Sequence, residues 1–171
     1  MATLEELNRL PADEACTALE RCCGCRAWVE RMCAARPFHG RAELLAEAER
    51  IWRALEPRHW REAFAHHPRI GDVEALRKRF AATATWAADE QRGATAAPEE
   101  TLARLAAGNR SYEERFGYIF IVCAAGKSAG EMLALLEARL HSHPDAEIRN
   151  AAEEQMKITG LRLEKLLEKA P

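Results

Sequence analysis

The sequence has no long apolar run and no excess of charge of either sign. No run approaches the roughly 20 apolar residues of a membrane-spanning helix, and Met1–Glu5 lacks the features of a secretory signal. The 25 basic and 27 acidic residues give a formal net charge of −2, which supplies no basic surface for nucleic acid or anionic lipid. We therefore expect a cytoplasmic protein that binds neither nucleic acid nor membrane.

The cysteines lack the spacing of a structural zinc site, which needs two separated ligand pairs. Three of the six crowd together, two lie nearby and one is distant: Cys22, Cys23 and Cys25; Cys16 and Cys33; and Cys123. His39 is the one histidine within reach of them. Because no secretory signal is visible, disulfides are not expected either. The sequence predicts reduced thiols on helical segments.

Aromatic residues are also few, at 6%, and much of the 48% hydrophobic content is alanine. A chain of 171 residues is nevertheless long enough for one domain with a buried core. Apolar residues recur at helical spacing along most of it. We predict an all-α fold of eight or nine helices around one core, in a single domain over residues 1–171.

Local signals set the expected helix ends. Two capping boxes are predicted, Thr3 with Glu6 and Ser128 with Glu131, and prolines open further helices. The apolar stretch 118–123 is β-like, but with no second strand to pair with it is predicted to be a buried connector. The expected helices, with approximate ends, are a short one after Thr3, Ala12–Cys23, Arg26–Ala35, Arg41–Leu55, Pro57–Phe64, Val73–Phe80, Pro98–Arg115, Ser128–Leu140 and a last one that Asp145 caps and that runs to Lys169. A break and cap at Thr83-Ala84-Thr85 leads into the stretch from Trp86 to Gln91.

A stiff loop is predicted between two of these helices, at residues 65–72. Pro68 biases His67 towards an extended backbone, Gly71 permits a sharp bend, and Asp72 can cap the next helix. His67 is thus presented where a ligand could meet it, and histidine readily exchanges a proton near neutral pH. The alternative is a histidine that merely closes a turn.

Two further features suggest a site. Glu90 and Gln91 follow Trp86, although such a pair is also ordinary on a solvated helix face. Arg162 lies on a largely apolar helical stripe with Ile148, Ala151, Gln155 and Ile158. Because a buried unpaired charge is expensive, Arg162 needs a partner, either a structural carboxylate or a bound anion.

Two other chemistries would account for some of these motifs. Gly126-Lys127-Ser128 resembles the end of a phosphate-binding loop, but the glycine required five positions earlier is replaced by Ile121. A metal-dependent hydrolase could instead use His66, His67 and Asp72, although no carboxylate cluster accompanies them. We expect no metal.

Taken together, the motifs closely resemble the OHCU decarboxylase family, which acts on 2-oxo-4-hydroxy-4-carboxy-5-ureidoimidazoline in urate degradation. The resemblance runs from about Leu4 to Leu167. It is carried by His67-Pro68-Arg69-Ile70-Gly71, Trp86 with Glu90-Gln91, Arg115-Phe116-Gly117-Tyr118-Ile119-Phe120, Gly126-Lys127-Ser128-Ala129 and Ala151–Leu163, with Ala35-Arg36-Pro37-Phe38 near the start.

The resemblance implies a carboxy-lyase that forms (S)-allantoin without a cofactor, in an all-helical homodimer whose partner is the small-molecule substrate. His67, Glu90 and Arg162 fall on the family's catalytic positions. Gln91 and Pro68 match binding positions, and the backbone around Phe120 and Ile121 matches the pocket-lining segment. Ala87 departs from the pattern, because many members have a serine there. The alternative is a catalytically inactive helical binding or scaffold protein of the same descent.

Overall fold

The computed structural model describes residues 3–67, 73–78 and 98–167. These ranges contain nine helices and no strand, which confirms the all-α prediction. The helices are α1 (Leu4–Arg9), α2 (Ala12–Glu20), α3 (Arg26–Ala34), α4 (Arg41–Arg53), α5 (Pro57–Ala65), α6 (73–78), α7 (Glu99–Phe116), α8 (Ala129–Leu140) and α9 (Pro144–Leu167).

The chain divides into two compact units. The first comprises Met1–His67 and Ala152–Pro171, and the second comprises Pro68–Ala151. The single domain expected from the sequence stays a prediction.

In the first unit, α3 packs against both α2 and α4. Helix α4 buries Leu44, Ala48, Ile51 and Trp52, which recur at helical spacing. Indole N–H groups also tie segments together, because a buried indole needs an acceptor. Trp28 Nε1 donates to the Ala48 carbonyl at 3.0 Å, and Trp52 Nε1 donates to the Ala152 carbonyl at 2.9 Å.

In the second unit, α7 packs against α8. Gly108 permits their close approach, because a Cβ there would lie 2.7 Å from Leu136 Cδ2. Helix α7 ends at Gly117, whose φ of 75° is the left-handed conformation that glycine adopts without strain. The following stretch to Val122 is neither helix nor strand, and Tyr118, Ile121 and Val122 are buried. The predicted buried connector is thereby confirmed.

Both predicted capping boxes are present, at Thr3 with Glu6 and at Ser128 with Glu131. The start of the last helix was predicted wrongly. It begins at Pro144 rather than after an Asp145 cap, and the backbone N–H of Asp145 donates to Nδ1 of His143 at 3.3 Å. The imidazole therefore caps this end, and Pro144 takes the first helical position, where its missing N–H costs nothing.

The expectation that all cysteines are reduced is wrong for one pair. The structure records a disulfide between Cys16 of α2 and Cys33 of α3. Packing of these two helices brings the two Cα atoms to 5.9 Å from each other, which is within disulfide range. A separation of 17 residues along the sequence gives no sign of this proximity. Cys22, Cys23 and Cys25 are free and buried, as is Cys123.

None of the helices in the described ranges has the length and apolar character required to cross a lipid bilayer.

Candidate functional site

His67 follows the last turn of α5 in the first unit. Its backbone N–H donates to the Phe64 carbonyl at 3.2 Å, which continues the helical turn by one step. The side chain is half-buried, and its Nε2 lies 2.6 Å from Oε1 of Gln155 on α9. The histidine predicted to be functional is thus held by a specific side-chain contact 88 residues away along the chain.

Three polar side chains of α9 share one face of the helix. Gln155, Thr159 and Arg162 are spaced by four and three residues, which places them above one another. Gln155 is 0% exposed and Thr159 is 1% exposed. The Gln155 amide donates from Nε2 to Thr159 Oγ1 at 3.2 Å. The contact from His67 to Gln155 therefore extends along this face.

Arg162 is partly buried on the same face. Its Nη1 donates to the backbone carbonyl of Cys22 at 3.3 Å. Within the described ranges this carbonyl is its recorded partner, and no carboxylate there pairs with it. Of the two partners considered from the sequence, the described residues do not supply the structural carboxylate.

The turn between α2 and α3 meets two of these side chains. Thr159 lies beside the side chain of Cys23, and Arg162 reaches the Cys22 carbonyl. Burial raises the pKa of the Cys22 thiol to about 11 and that of Cys23 to about 12, while the Arg162 charge opposes both shifts. These thiols are consequently neutral near pH 7, and they serve as packing and weak hydrogen-bonding groups.

Gly24 of the same turn lies against His66, the residue before His67. A Cβ at Gly24 would come within 2.3 Å of His66 Cγ and 2.6 Å of His66 Cβ. The end of α5 thus rests directly on the glycine backbone. This contact sets where His67 leaves the helix.

Phe120 and Ile121 belong to the second unit, in the connector after α7. Arg139 of α8 holds both residues there. Its Nη1 donates to the Ile121 carbonyl at 2.8 Å, and its guanidinium carbon lies 4.6 Å from the centroid of the Phe120 ring. The backbone that the resemblance assigns to a binding segment is therefore anchored by one arginine.

Arg139 is itself held by a buried acid. Glu147 is 0% exposed, and its Oε1 accepts from Arg139 Nε at 2.7 Å and from the Tyr112 hydroxyl. Asn150 Nδ2 donates to the other carboxylate oxygen at 3.2 Å. Burial, and next the hydrogen bond to Glu147, raise the pKa of the Tyr112 hydroxyl above its ordinary value, so it remains a donor. The ion pair is fully hydrogen-bonded, as a buried pair must be.

Four of the predicted site residues, Pro68, Ala87, Glu90 and Gln91, lie outside the described residues, as does Asp72. Their assignments stay predictions, and so do the roles given to His67, Arg162, Phe120 and Ile121. Within the described ranges, no group of three or more His, Cys, Asp or Glu side chains is arranged to hold a metal ion.

Sequence reasoning missed the supporting residues. In the sequence, Gln155 stands out only as a member of the stripe around Arg162, and Thr159 only as part of the motif Ala151–Leu163. The available signal was two polar residues at i and i+4 on a face that is otherwise apolar, because polar groups are buried only with partners. Cys23 carried no signal beyond its position in a cysteine-rich turn.

Known proteins resemble this chain over most of its length. The chain is 37% identical over 149 residues to the uric acid degradation bifunctional protein TTL of Arabidopsis thaliana, a match that covers 85% of this chain and 45% of that protein. It is 29% identical over 162 residues to the 2-oxo-4-hydroxy-4-carboxy-5-ureidoimidazoline decarboxylase of Haloferax volcanii, covering 94% of each. The chain thus spans less than half of the plant relative and nearly all of the archaeal one.

A crystal structure of OHCU decarboxylase in the presence of (S)-allantoin has a TM-score of 0.72 to this fold at 34% sequence identity. The match covers 88% of this chain and 96% of that one. The profile described as OHCU decarboxylase matches residues 8–164, nearly the whole sequence. The chain therefore belongs to the OHCU decarboxylase family.

Proposed function

We propose that this protein decarboxylates 2-oxo-4-hydroxy-4-carboxy-5-ureidoimidazoline to (S)-allantoin in urate degradation. The observation that carries the proposal is the similarity, over 88% of the chain, to the OHCU decarboxylase whose structure was determined with (S)-allantoin. The archaeal relative is named for the same decarboxylation and matches this chain over nearly its whole length. The activity, the substrate and the roles below are proposals for this chain.

The substrate can supply its own electron sink. Its carboxylate is attached to a ring carbon that also bears a hydroxyl, next to a ring C=N bond. When the bond to the carboxylate breaks, its electron pair passes towards that C=N bond, carbon dioxide leaves, and an enol-like intermediate remains. One proton is then added to one face of the ring carbon that bears the ureido group. The enzyme has to orient the scissile bond and direct that proton, which are tasks of positioning and acid–base chemistry.

The predicted site residues suit these tasks. His67 would hydrogen-bond the hydroxyl or carboxylate region and help to initiate decarboxylation. Glu90 would pair with His67 or with the ureido N–H groups, and either residue could be the final proton donor. Arg162 would bind a carbonyl or carboxylate oxygen through charge-assisted hydrogen bonds. Its recorded bond to the Cys22 carbonyl leaves its charge unneutralised by any described carboxylate.

The remaining positions would hold and orient the ring. Gln91 offers a donor and an acceptor to the ureido group or ring amide, and Pro68 lines the site. The backbone of Phe120 and Ile121 would face the substrate, with Arg139 holding that segment in place. With Ala87 in place of a serine, one hydroxyl contact to the substrate is lost or passes to another group.

The decisive experiment generates the unstable substrate in situ from urate, with the two enzymes that precede this step. Circular dichroism then follows the appearance of one allantoin enantiomer with and without this protein. We expect rapid formation of the S enantiomer by the wild type. The His67→Asn variant should fold normally and lose turnover by about 100-fold or more, which is the usual worth of a general acid–base group.

The matched control is His141→Asn. This histidine is exposed at the end of α8, and we assign it no role, so turnover should be unchanged. A folded wild type that gives racemic product at the spontaneous rate would overturn the enzyme assignment and favour an inactive helical scaffold. Loss of activity on exhaustive chelation would favour the metal-dependent alternative over the cofactor-free reaction.

Assembly and location complete the proposal. The family resemblance implies a homodimer, which sedimentation equilibrium of the purified protein can test. The cytoplasmic location inferred from the sequence likewise stays a prediction, to be checked by fractionating cells that express the protein.

A further inference from the structure

Gln155 presents an energetic problem that packing does not solve. Its side chain is 0% exposed, and an amide removed from water costs several kcal/mol unless its hydrogen-bonding groups find partners. A leucine of similar volume would fill the same space with no such requirement. The hydrogen-bond partners of the amide therefore indicate which function requires a buried glutamine at this position.

Those partners form a directed chain. Thr159 is 1% exposed, and its hydroxyl oxygen receives the Gln155 Nε2–H at 3.2 Å. That bond leaves Oε1 of Gln155 pointing at Nε2 of His67, 2.6 Å away. An amide oxygen can only accept a hydrogen bond. A hydrogen bond in this contact therefore requires a proton on Nε2 of His67.

We propose that Gln155 is a positioning residue that holds His67 in the tautomer protonated at Nε2, so that Nδ1 is the nitrogen that gains or loses the proton during turnover. The inference rests on the proposed function for its catalytic meaning, because it says how the histidine of that same site is oriented. In neutral histidine, the bond made by one ring nitrogen determines which form the other takes. Thr159 supports the arrangement by fixing the orientation of the Gln155 amide.

The first test reads the tautomer without any assay of activity. The wild type is labelled with ¹⁵N at histidine, His67 is assigned by comparison with His67→Asn, and its two ring nitrogens are observed above the pH at which it becomes neutral. We expect Nε2 to be protonated and Nδ1 to be unprotonated. In Gln155→Leu the preference should weaken to a mixture. A His67 protonated at Nδ1 in the wild type would overturn the proposal.

The second test separates positioning from mere structural support. Gln155→Leu should fold and reduce kcat by about 10- to 100-fold, the scale of a misplaced catalytic group. Its KM should change less than about threefold, because the Gln155 side chain is 0% exposed. Thr159→Val should reduce kcat less, and Thr159→Ser, which keeps the hydroxyl, should restore it. An unchanged kcat in both Gln155→Leu and Thr159→Val would contradict the proposal.

The two tests distinguish the failure of this inference from the failure of the proposed function. A wild type without decarboxylase activity, but with His67 protonated at Nε2, would refute the function and leave the structural role of Gln155 intact. An active wild type with the opposite tautomer would refute the role of Gln155 alone. If Gln155→Leu does not fold, the kcat values of Thr159→Val and Thr159→Ser and the wild-type ¹⁵N spectrum still test the role of Gln155.

Discussion

Removing the Arg139 side chain tests how the connector after α7 is held. In Arg139→Met, the Glu147 carboxylate keeps its bonds from Tyr112 and Asn150 but loses the guanidinium that neutralises it. Glu147 is 0% exposed and the Arg139 side chain is 12% exposed, so water cannot hydrate the carboxylate left unpaired in this variant. Breaking one side of a buried pair costs about 3–5 kcal/mol. We expect the free energy of unfolding to fall by that amount.

Urea unfolding followed by circular dichroism at 222 nm measures the loss. The matched control is Arg104→Met, which breaks an ion pair to Glu137 in the same unit, between side chains that are 55% and 45% exposed. An exposed pair contributes about 0–1 kcal/mol, so this variant should be nearly as stable as the wild type. The double variant Arg139→Met/Glu147→Gln removes both charges and should recover about 1–3 kcal/mol of the loss. A loss below about 1 kcal/mol in Arg139→Met, or none recovered in the double variant, would refute the reasoning.

Two further predictions concern the turn between α2 and α3. Gly24→Ala should lower the free energy of unfolding by about 1–3 kcal/mol, because the new Cβ clashes with Cβ and Cγ of His66. Gly160→Ala is the control. Its Cβ meets open space within helix α9, so it should raise the free energy of unfolding by about 0.5–1 kcal/mol. Equal stabilities of the two variants in urea would contradict this account. Burial raises the pKa of the Cys23 thiol from its ordinary 9.0 to about 12 in the folded protein. Above pH 9 the thiol therefore ionises in the unfolded chain but not in the folded one, which favours unfolding. The free energy of unfolding should be highest below pH 9 and should fall as the pH rises towards 12. Between pH 8 and pH 10, the wild type should therefore lose about 1 kcal/mol more than Cys23→Ala, and parallel losses would argue against the buried neutral thiol.

The helices were predictable because their signals are local. The spacing of Leu44, Ala48, Ile51 and Trp52 shows a buried face without knowledge of what it packs against. The capping box of Ser128 and Glu131 lies within four consecutive residues. Errors occurred where a local signal had a competitor. Asp145 is a good capping residue, but the imidazole two positions earlier takes the cap.

The site was only partly predictable, for a related reason. His67 and Arg162 were identified from the motif pattern, together with residues that lie outside the described ranges. The contacts that hold them join positions far apart in the chain, 88 residues for His67 with Gln155 and 140 for Arg162 with Cys22. Nothing in a single sequence pairs such positions. The disulfide of Cys16 and Cys33 was missed on the same ground, since it depends on how two helices pack.

The side chains that support His67 differ in kind from those expected to touch substrate. A core satisfied by packing alone would favour leucine at 155 and valine at 159, because each would avoid the cost of burying a polar group. Gln155 and Thr159 are nevertheless fully buried, and the hydrogen bonds of Gln155 connect Thr159 to a single imidazole. Filling the core does not require these hydrogen bonds, but orienting His67 does. The polar residues on an otherwise apolar face of α9 are therefore explained by the histidine they hold, which is why their replacement should alter turnover before it alters the fold.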